Sequence, residues 1–155
     1  MLPKVILCPT DLSERAEPAI DYACELATKL GATLHFVHVL GVPMMGVPEL
    51  GLAVTATTID SMVVEQQTAL DNLARSKAGM ATIGQALLRT GDSKDVINQT
   101  AIELGADLIV IGTHGRTGLS RALLGSVAES IVRTAPCPVL TVRNESDSDS
   151  KSDAA

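Results

Sequence analysis

Short apolar runs alternate with amphipathic stretches along the whole chain. Five of these runs predict strands, because each is apolar and bounded by turn residues, as buried parallel strands are. The predicted strands are Val5–Cys8, Thr33–Leu40, Ala81–Thr90, Leu108–Ile111 and Val139–Val142.

Four helices are predicted between the strands, from apolar residues that recur every three or four positions. The first follows the loop Pro9–Ser13 and reaches Leu30, with Ser13 as its N-cap; because of Pro18, regular helix is expected to begin near Glu17. The others run from Ile59 to Lys77, from Val96 to Leu104 after a capping turn at Gly91–Ser93, and from about Gly125-Ser126 to Pro136. The alternation predicts an α/β fold with a parallel sheet, whose ligands bind beyond the carboxyl ends of the strands.

Two stretches follow neither period. Residues 41–57 carry five Gly and Pro residues among apolar side chains, which predicts a long loop. Three roles remain open for it: packing on its own domain, covering a ligand or meeting a partner chain. Residues 144–155 are rich in Ser and Asp and are predicted to form a disordered tail, either solubilising or a target for phosphorylation. The expected organisation is one domain, residues 1–143, followed by this tail.

The composition narrows the function. With 155 residues, 46% apolar and 19% charged, the chain is expected to bury its own core. Its two aromatic residues, Tyr22 and Phe36, argue against binding by base stacking, and a net charge of −6 argues against a duplex-binding surface. We therefore expect nucleic acid not to be the main partner. About half of the charge lies in the tail.

The three cysteines are scattered and form no zinc or disulfide pattern, which favours reduced thiols. The start of the chain lacks an apolar secretory segment, and no apolar run reaches the length of a membrane span. We expect a cytoplasmic protein that does not enter a membrane. His35 and His38 lie three apart on a predicted strand, on opposite faces, so they make a poor metal pair.

A glycine-rich loop after the fourth strand is the strongest chemical signal. Its residues are Gly112, Thr113, His114, Gly115, Arg116, Thr117 and Gly118. Glycines let a backbone approach phosphate closely, and amides at a following helix start point at the anion. The spacing Gly-x2-Gly-x9-Gly-Ser is neither the Walker A nor the GxGxxG pattern. From spacing alone, the loop is either a phosphate loop or an ordinary connection.

The stretch Gly112–Ser126 resembles the ATP-binding motif G-x2-G-x9-G-[S/T] of the universal stress protein family at every defined position. Pro9–Ser13 resembles the first loop of that family, His38-Val39 the end of its second strand, and Pro136–Leu140 the entry to its last strand. The resemblance extends from Lys4 to Arg143. It implies a single-domain, open five-stranded parallel sheet of order 3-2-1-4-5 with helices on both faces, Rossmann-like and similar to adenine nucleotide alpha hydrolases.

The resemblance also implies a site for ATP, with Mg²⁺ bridging the phosphates. Asp11 would lie near the adenosine or the metal, the backbone of Val39 would meet the adenine edge, and Ile111 would pack against the base. The glycine loop would wrap the phosphates, and Gly125, Ser126 and Val127 would cap them. The full set of implied binding residues is Pro9, Thr10, Asp11, Val39, Ile111, Gly112, Thr113, His114, Gly115, Arg116, Thr117, Gly118, Gly125, Ser126, Val127 and Ala128. Asp11 has the alternative role of a helix cap, and His114 and Arg116 that of solvated side chains.

ATP binding does not by itself indicate catalysis. The chain has no Walker B run, kinase catalytic loop or P-loop lysine. We expect an ATP-binding regulatory switch in a stress response, with slow or absent hydrolysis. The alternatives are a low-turnover Mg-dependent ATPase that uses Asp11, and a nucleotide-free interaction module, against which the intact motif counts. Val139–Val142 is expected at a sheet edge, where the family commonly forms antiparallel homodimers.

Overall fold

The computed structural model describes residues 1–41, 56–113 and 124–143, with the side chains of the first two helical residues, 56 and 57, excepted. Three predictions fall outside these ranges. They are the loop expected after the second strand, for residues 42–55, most of the glycine-rich loop, for residues 114–118, and the disordered tail at 144–155.

Strands and helices alternate along the chain. The strands are β1 (Val5–Pro9), β2 (Thr33–Leu40), β3 (Thr82–Thr90), β4 (Leu108–Gly112) and β5 (Val139–Val142). The helices are α1 (Glu17–Leu30), α2 (Ala56–Lys77), α3 (Ser93–Leu104) and α4 (Ser126–Thr134), and a 3₁₀ turn at Glu14–Ala16 precedes α1. The strands form one parallel sheet in the order β3-β2-β1-β4-β5. The predicted α/β class and the strand order are confirmed.

Helix α1 begins at Glu17, as predicted from Pro18, since proline is tolerated in the first turn of a helix but not further inside it. Three other details differ from the predictions. Ser13 precedes the 3₁₀ turn rather than α1, and its hydroxyl makes no capping hydrogen bond. Helix α2 begins at Ala56, inside the predicted loop. Helix α3 begins at Ser93, because Asp92 caps the amides of Lys94 and Asp95.

The core consists of two apolar layers, one on each face of the sheet. Side chains alternate between faces along a strand, so Ile6, Leu34 and Phe36 pack with α1 and α2, while Leu7 and Val37 pack with the opposite layer. That second layer includes residues of α3 and α4. Each strand of the centre is therefore covered on both sides, which explains the continuous apolar runs in the sequence.

Two thiols lie inside the first layer. Cys8 and Cys24 are buried and Cys137 is half-buried, and all three are free. Burial raises the pKa of each thiol, with the neighbouring Cys24 adding to the effect at Cys8. Buried thiols of raised pKa are poor nucleophiles, so Cys8 and Cys24 serve as packing residues.

A bulge interrupts the pairing of β2 with β3. Leu34 pairs with Ile83 and Phe36 with Ala86, so β3 places both Gly84 and Gln85 opposite His35. The ring of His35 occupies the space over Gly84, where a Cβ atom would lie 2.4 Å from its Cε1. The Gln85 amide donates a 2.9 Å hydrogen bond to His35 Nδ1. The histidine thus fills the bulge and pairs the amide that the bulge would otherwise leave unpaired.

None of the described helices combines the length and the apolar character that crossing a bilayer requires.

Candidate functional site

A cavity of about 250 Å³ lies where the strand order reverses. Strands β1 and β4 are neighbours, and the chain leaves β1 for α1 on one face of the sheet and β4 for α4 on the other. The loops after these strands diverge and leave a crevice at the carboxyl edge, which is where open α/β sheets bind ligands.

Most of the residues implied by the family resemblance line this cavity. They are Pro9, Thr10, Asp11, Val39, Ile111, Gly112, Thr113, Gly125, Ser126, Val127 and Ala128. His114, Gly115, Arg116, Thr117 and Gly118 lie outside the described residues. The cavity also includes six residues that sequence reasoning missed: Ala16, Ala19, Val37, His38, Ser93 and Ile97.

Thr10 anchors the loop after β1 through all three of its polar groups. Its amide donates to the Val37 carbonyl at 2.9 Å, and its hydroxyl accepts from the Leu12 amide at 3.0 Å. Its carbonyl oxygen lies 2.9 Å from Nδ1 of His38. Two of the three bonds go to neighbouring residues of β2, so the loop is tied to the second strand.

Asp11 is held in place by the turn that follows it. Its Oδ1 accepts from the Ser13 amide at 2.9 Å and from the Ser13 hydroxyl at 2.5 Å. Leu12 between them has φ of 61°, a left-handed conformation that costs a leucine about 1–2 kcal/mol. The alternative role of Asp11 as a helix cap is not what these two bonds provide, because they close the turn before the 3₁₀ helix. The local bonds fix the carboxylate at the cavity wall.

The backbone of Val39 points towards the cavity side of β2. Leu40 accepts from Gly91, on the β3 side, and Val37 accepts from Thr10, on the β1 side. The N–H and C=O of one strand residue point the same way, and the direction alternates along the strand. Those of Val39 therefore point towards β1, whose pairing with β2 ends at Pro9. The Val39 donor and acceptor lie at the open end of the sheet.

Thr113 joins the two ends of the connection between β4 and α4. Its amide donates to the Val142 carbonyl of β5 at 3.0 Å, and its carbonyl accepts from the Gly125 amide at 2.7 Å. Thr113, after the end of β4, and Gly125, before the start of α4, are thus hydrogen-bonded to each other. This bond holds the start of α4 against the carboxyl end of β4.

The start of α4 differs from that of α3, although both reach the cavity. Asp92 covers the first amides of α3 with its carboxylate. Gly125, the N-cap of α4, has no side chain to do this, and the first helical bond in α4 runs from Glu129 to the Gly125 carbonyl. The amides of Ser126, Val127 and Ala128 thus precede the first hydrogen-bonded turn. The start of α4 is the better anion site of the two.

One part of the cavity wall is apolar. Val37, Val39, Ile97 and Ile111 belong to the second core layer and also line the cavity. Of the two aromatic residues, Phe36 is buried in the first layer and Tyr22 is half-exposed on α1, and neither is among the lining residues described. A planar base in this cavity would pack against aliphatic side chains.

The described part of the chain contains no group of three or more His, Cys, Asp or Glu residues placed to hold a metal ion. Asp11 is the carboxylate of the described cavity wall, and His38 is its imidazole. A cation at this site would take one carboxylate from the protein and its other oxygen ligands from the bound molecule or water.

Some of the missed residues had a detectable signal. Ala16 and Ala19 are the first apolar residues of the α1 period, and Ser93 belongs to the predicted capping turn Gly91–Ser93. Their positions at helix starts place them at the carboxyl edge of the sheet. His38 had a weaker signal, because its contact with Thr10 depends on how β1 and β2 are aligned.

Comparisons with known proteins give a consistent result. The model of the universal stress protein family matches residues 3–143. Universal stress protein MJ0531 of Methanocaldococcus jannaschii is 35% identical over 142 residues, which are 90% of this chain and 82% of the relative. Universal stress protein A homolog 1 of Coxiella burnetii is 36% identical over 140 residues, covering 90% of this chain and 95% of the relative.

Solved structures share the fold. The universal stress protein UspA from Lactobacillus plantarum superposes with a TM-score of 0.77 at 26% identity, covering 90% of this chain and 97% of its own. A universal stress protein in complex with cAMP has a TM-score of 0.60 at 27% identity, with coverages of 92% and 98%. The universal stress protein from Archaeoglobus fulgidus in complex with dAMP has a TM-score of 0.63 at 25% identity, with coverages of 91% and 98%.

Proposed function

The chain belongs to the universal stress protein family, and on that premise we propose that it binds ATP at the carboxyl edge of the sheet and acts as a nucleotide-dependent switch in a stress response. Two similar structures were solved in complex with cAMP and with dAMP, which share the adenine base and a phosphate. That shared chemistry supports an adenine nucleotide as the ligand.

The start of α4 carries this proposal. An apolar wall for a base and a set of helix amides for an anion, which the N-cap residue Gly125 leaves without a side-chain cap, line one cavity. The family motif Gly112–Ser126 connects these two parts in the sequence. An adenine nucleotide has matching parts, a flat base and a charged phosphate group joined by ribose.

The described residues fit a nucleotide-bound Mg²⁺ better than a protein-held metal. Asp11 would supply one oxygen ligand, and the phosphates would supply others, as is usual where Mg²⁺ retains several waters. When bound, the ion would neutralise phosphate charge. The protein itself would orient the nucleotide through the Thr10–Asp11 turn and the α4 amides.

The cavity supports binding more than turnover. Among its described lining residues there is no lysine or arginine to stabilise charge on a leaving group. Asp11 is the observation that favours the second candidate, a slow Mg-dependent ATPase, because its carboxylate is fixed at the cavity wall by Ser13. In that case the carboxylate would hold the ion or orient a water.

The experiment is to purify the protein, release its small molecules and identify them by mass spectrometry, then incubate it with ATP and Mg²⁺. We expect stoichiometric bound ATP and negligible ADP. Multiple turnovers that disappear in Asp11→Asn would favour the ATPase instead. Gly115→Val, in the family motif, should bind less ATP than the wild type; equal and negligible binding by both would refute the proposal.

A homodimer through β5 is part of the proposal. Strand β5 pairs with β4 and ends the sheet, with Val139, Leu140 and Val142 half-buried. An edge of this kind can pair with the same edge of a second copy about a two-fold axis. Leu140→Lys should produce monomers in sedimentation velocity, while Thr82→Lys, at the start of the opposite edge strand β3, should remain dimeric. A Leu140→Lys dimer would point to another interface.

The proposal places the protein in the cytoplasm, where ATP is abundant and thiols stay reduced. It also treats residues 1–143 as the nucleotide-binding domain and 144–155 as a tail without a part in binding. Removal of the tail should leave the ATP affinity unchanged.

A further inference from the structure

We propose that His38 is a positioning residue for the nucleotide base: its imidazole engages the Thr10 carbonyl and thereby keeps the Val39 amide available to the ligand. The inference rests on the proposed function, since it concerns how the same cavity recognises an adenine. It assigns a role to a buried side chain that the family motif does not include.

The alignment of the strands predicts a different partner for the Thr10 carbonyl. The Thr10 amide donates to Val37, so the next bond of a regular parallel ladder would run from the Val39 amide to the Thr10 carbonyl. Between these two described residues that bond is absent. The carbonyl instead lies 2.9 Å from His38 Nδ1. The His38 side chain has thus taken the place of the Val39 amide as the partner of the Thr10 carbonyl.

The chemistry of the pair defines the state of the ring. A carbonyl oxygen can only accept, so Nδ1 of His38 carries the hydrogen. His38 is 5% exposed, and its buried Nε2 has no hydrogen-bond partner among the residues that the structure describes. Within those residues, the bond to Thr10 is therefore the polar contact that orients the ring. His38 directly precedes Val39 in β2. The residue that binds the Thr10 carbonyl is therefore next to the residue whose amide would otherwise bind it.

The arrangement favours one kind of base. Val39 offers an N–H donor and a C=O acceptor on one side of β2, and the six-membered edge of adenine offers N1 as an acceptor and an amino group as a donor. Hypoxanthine has a carbonyl and an N–H at the corresponding atoms, so both contacts become unfavourable in the same pose. Adenine recognition of this kind needs a Val39 amide that is not used by Thr10.

The first test uses the protein without nucleotide. We expect the Val39 amide to exchange with deuterium rapidly, and to exchange at least ~10-fold more slowly in His38→Leu, where Thr10 can pair with it. His38→Asn keeps a side-chain donor near the position of Nδ1 and should restore rapid exchange. His35→Leu, on the same strand but the other face, is the matched control and should leave Val39 exchange as in the wild type.

The second test measures binding of ATP, ITP and inorganic tripolyphosphate by calorimetry. The wild type should prefer ATP over ITP by ~10-fold or more, His38→Leu should reduce this ratio to about unity, and His38→Asn should restore it to within about 3-fold. Tripolyphosphate affinity should be equal in all variants, because the α4 amides are untouched. Thermal melts monitored by circular dichroism identify any variant that has lost its fold.

The outcomes separate the two proposals. Unchanged Val39 exchange in folded His38→Leu would overturn the role of His38, whether or not nucleotide binds. Equal losses of ATP, ITP and tripolyphosphate affinity in both His38 variants would also overturn it, since they would indicate a general structural role. If the wild type binds no nucleotide, the proposed function fails. The exchange experiment then still tests whether His38 prevents the hydrogen bond between the Val39 amide and the Thr10 carbonyl.

Discussion

His35 and His38 lie on the same strand, and each contacts backbone through Nδ1, but with opposite polarity. His35 Nδ1 accepts from the Gln85 amide, whereas His38 Nδ1 donates to the Thr10 carbonyl. The first bond repairs a bulge at the edge of the sheet, and the second replaces a ladder bond at the cavity. The same residue type thus corrects two different defects in strand pairing, one structural and one at the candidate site.

The difference lies in which nitrogen carries the hydrogen in the neutral ring. His35 needs a bare Nδ1, so its hydrogen is on Nε2, while His38 needs a hydrogen on Nδ1. Protonation of Nδ1 would destroy the acceptor of His35, so acid should disturb the bulge.

The largest expected effect is on stability, from Gly84→Ala. The new methyl group would lie 2.4 Å from His35 Cε1 and 2.8 Å from both ring nitrogens, so the ring must move. We expect a loss of about 1–3 kcal/mol in the free energy of unfolding, measured by urea denaturation. Gly79→Ala is the control, because its Cβ would meet nothing within 4 Å. The loss should shrink when His35→Ala is added; a full loss in the double variant would contradict the ring as its cause.

A smaller effect is expected from His35→Leu, which removes the acceptor of the Gln85 amide. The unpaired amide should cost about 1–2 kcal/mol of stability, with the ATP-to-ITP affinity ratio unchanged. His35→Asn should recover most of the stability, since its Oδ1 can accept near the position of Nδ1. A changed ATP-to-ITP affinity ratio in His35→Leu would contradict a purely structural role for His35.

The smallest effect is the pH dependence that His35 adds to stability. Burial lowers the pKa of His35 from its ordinary value of 6.5. Its contribution is therefore fully present above pH 6.5 and is lost as the pH falls through that value towards the folded pKa, because the unfolded chain binds the proton first. Melting temperatures at pH 7.5, 6.0 and 5.0 should fall more in the wild type than in His35→Asn. If the melting temperatures of the wild type and of His35→Asn fell equally with pH, groups other than His35 would cause the pH dependence.

The sequence predicts the fold well because its signals are local. Continuous apolar runs identify the five strands, and Asp92 and Gly105 mark the ends of α3. Sequence reasoning failed where a residue with a known local preference forms a different hydrogen bond in the structure. Serine is a favoured N-cap residue, but the hydroxyl of Ser13 donates to Asp11 instead. The start of α1 at Glu17, by contrast, was correctly predicted from Pro18.

The site was less predictable, because its polar contacts join residues far apart in the chain. The position of His38 opposite Thr10 follows from the alignment of two strands separated by a whole helix. Gly84 did carry a signal, since an isolated glycine within a strand pattern often marks a bulge or a close approach. What it approaches, the ring of His35, could not be deduced without the pairing of β2 with β3.

The bulge at Gly84 and Gln85 also distinguishes the two edges of the sheet. Strand β3 is nine residues long, and an edge strand of that length could recruit strands from other molecules and start aggregation. A bulge bends and twists such an edge away from regular pairing. Strand β5 is four residues long and pairs with β4 in regular register. The feature that His35 fills should therefore make β3 a poorer template for strand addition than β5, the edge on which the proposed homodimer depends.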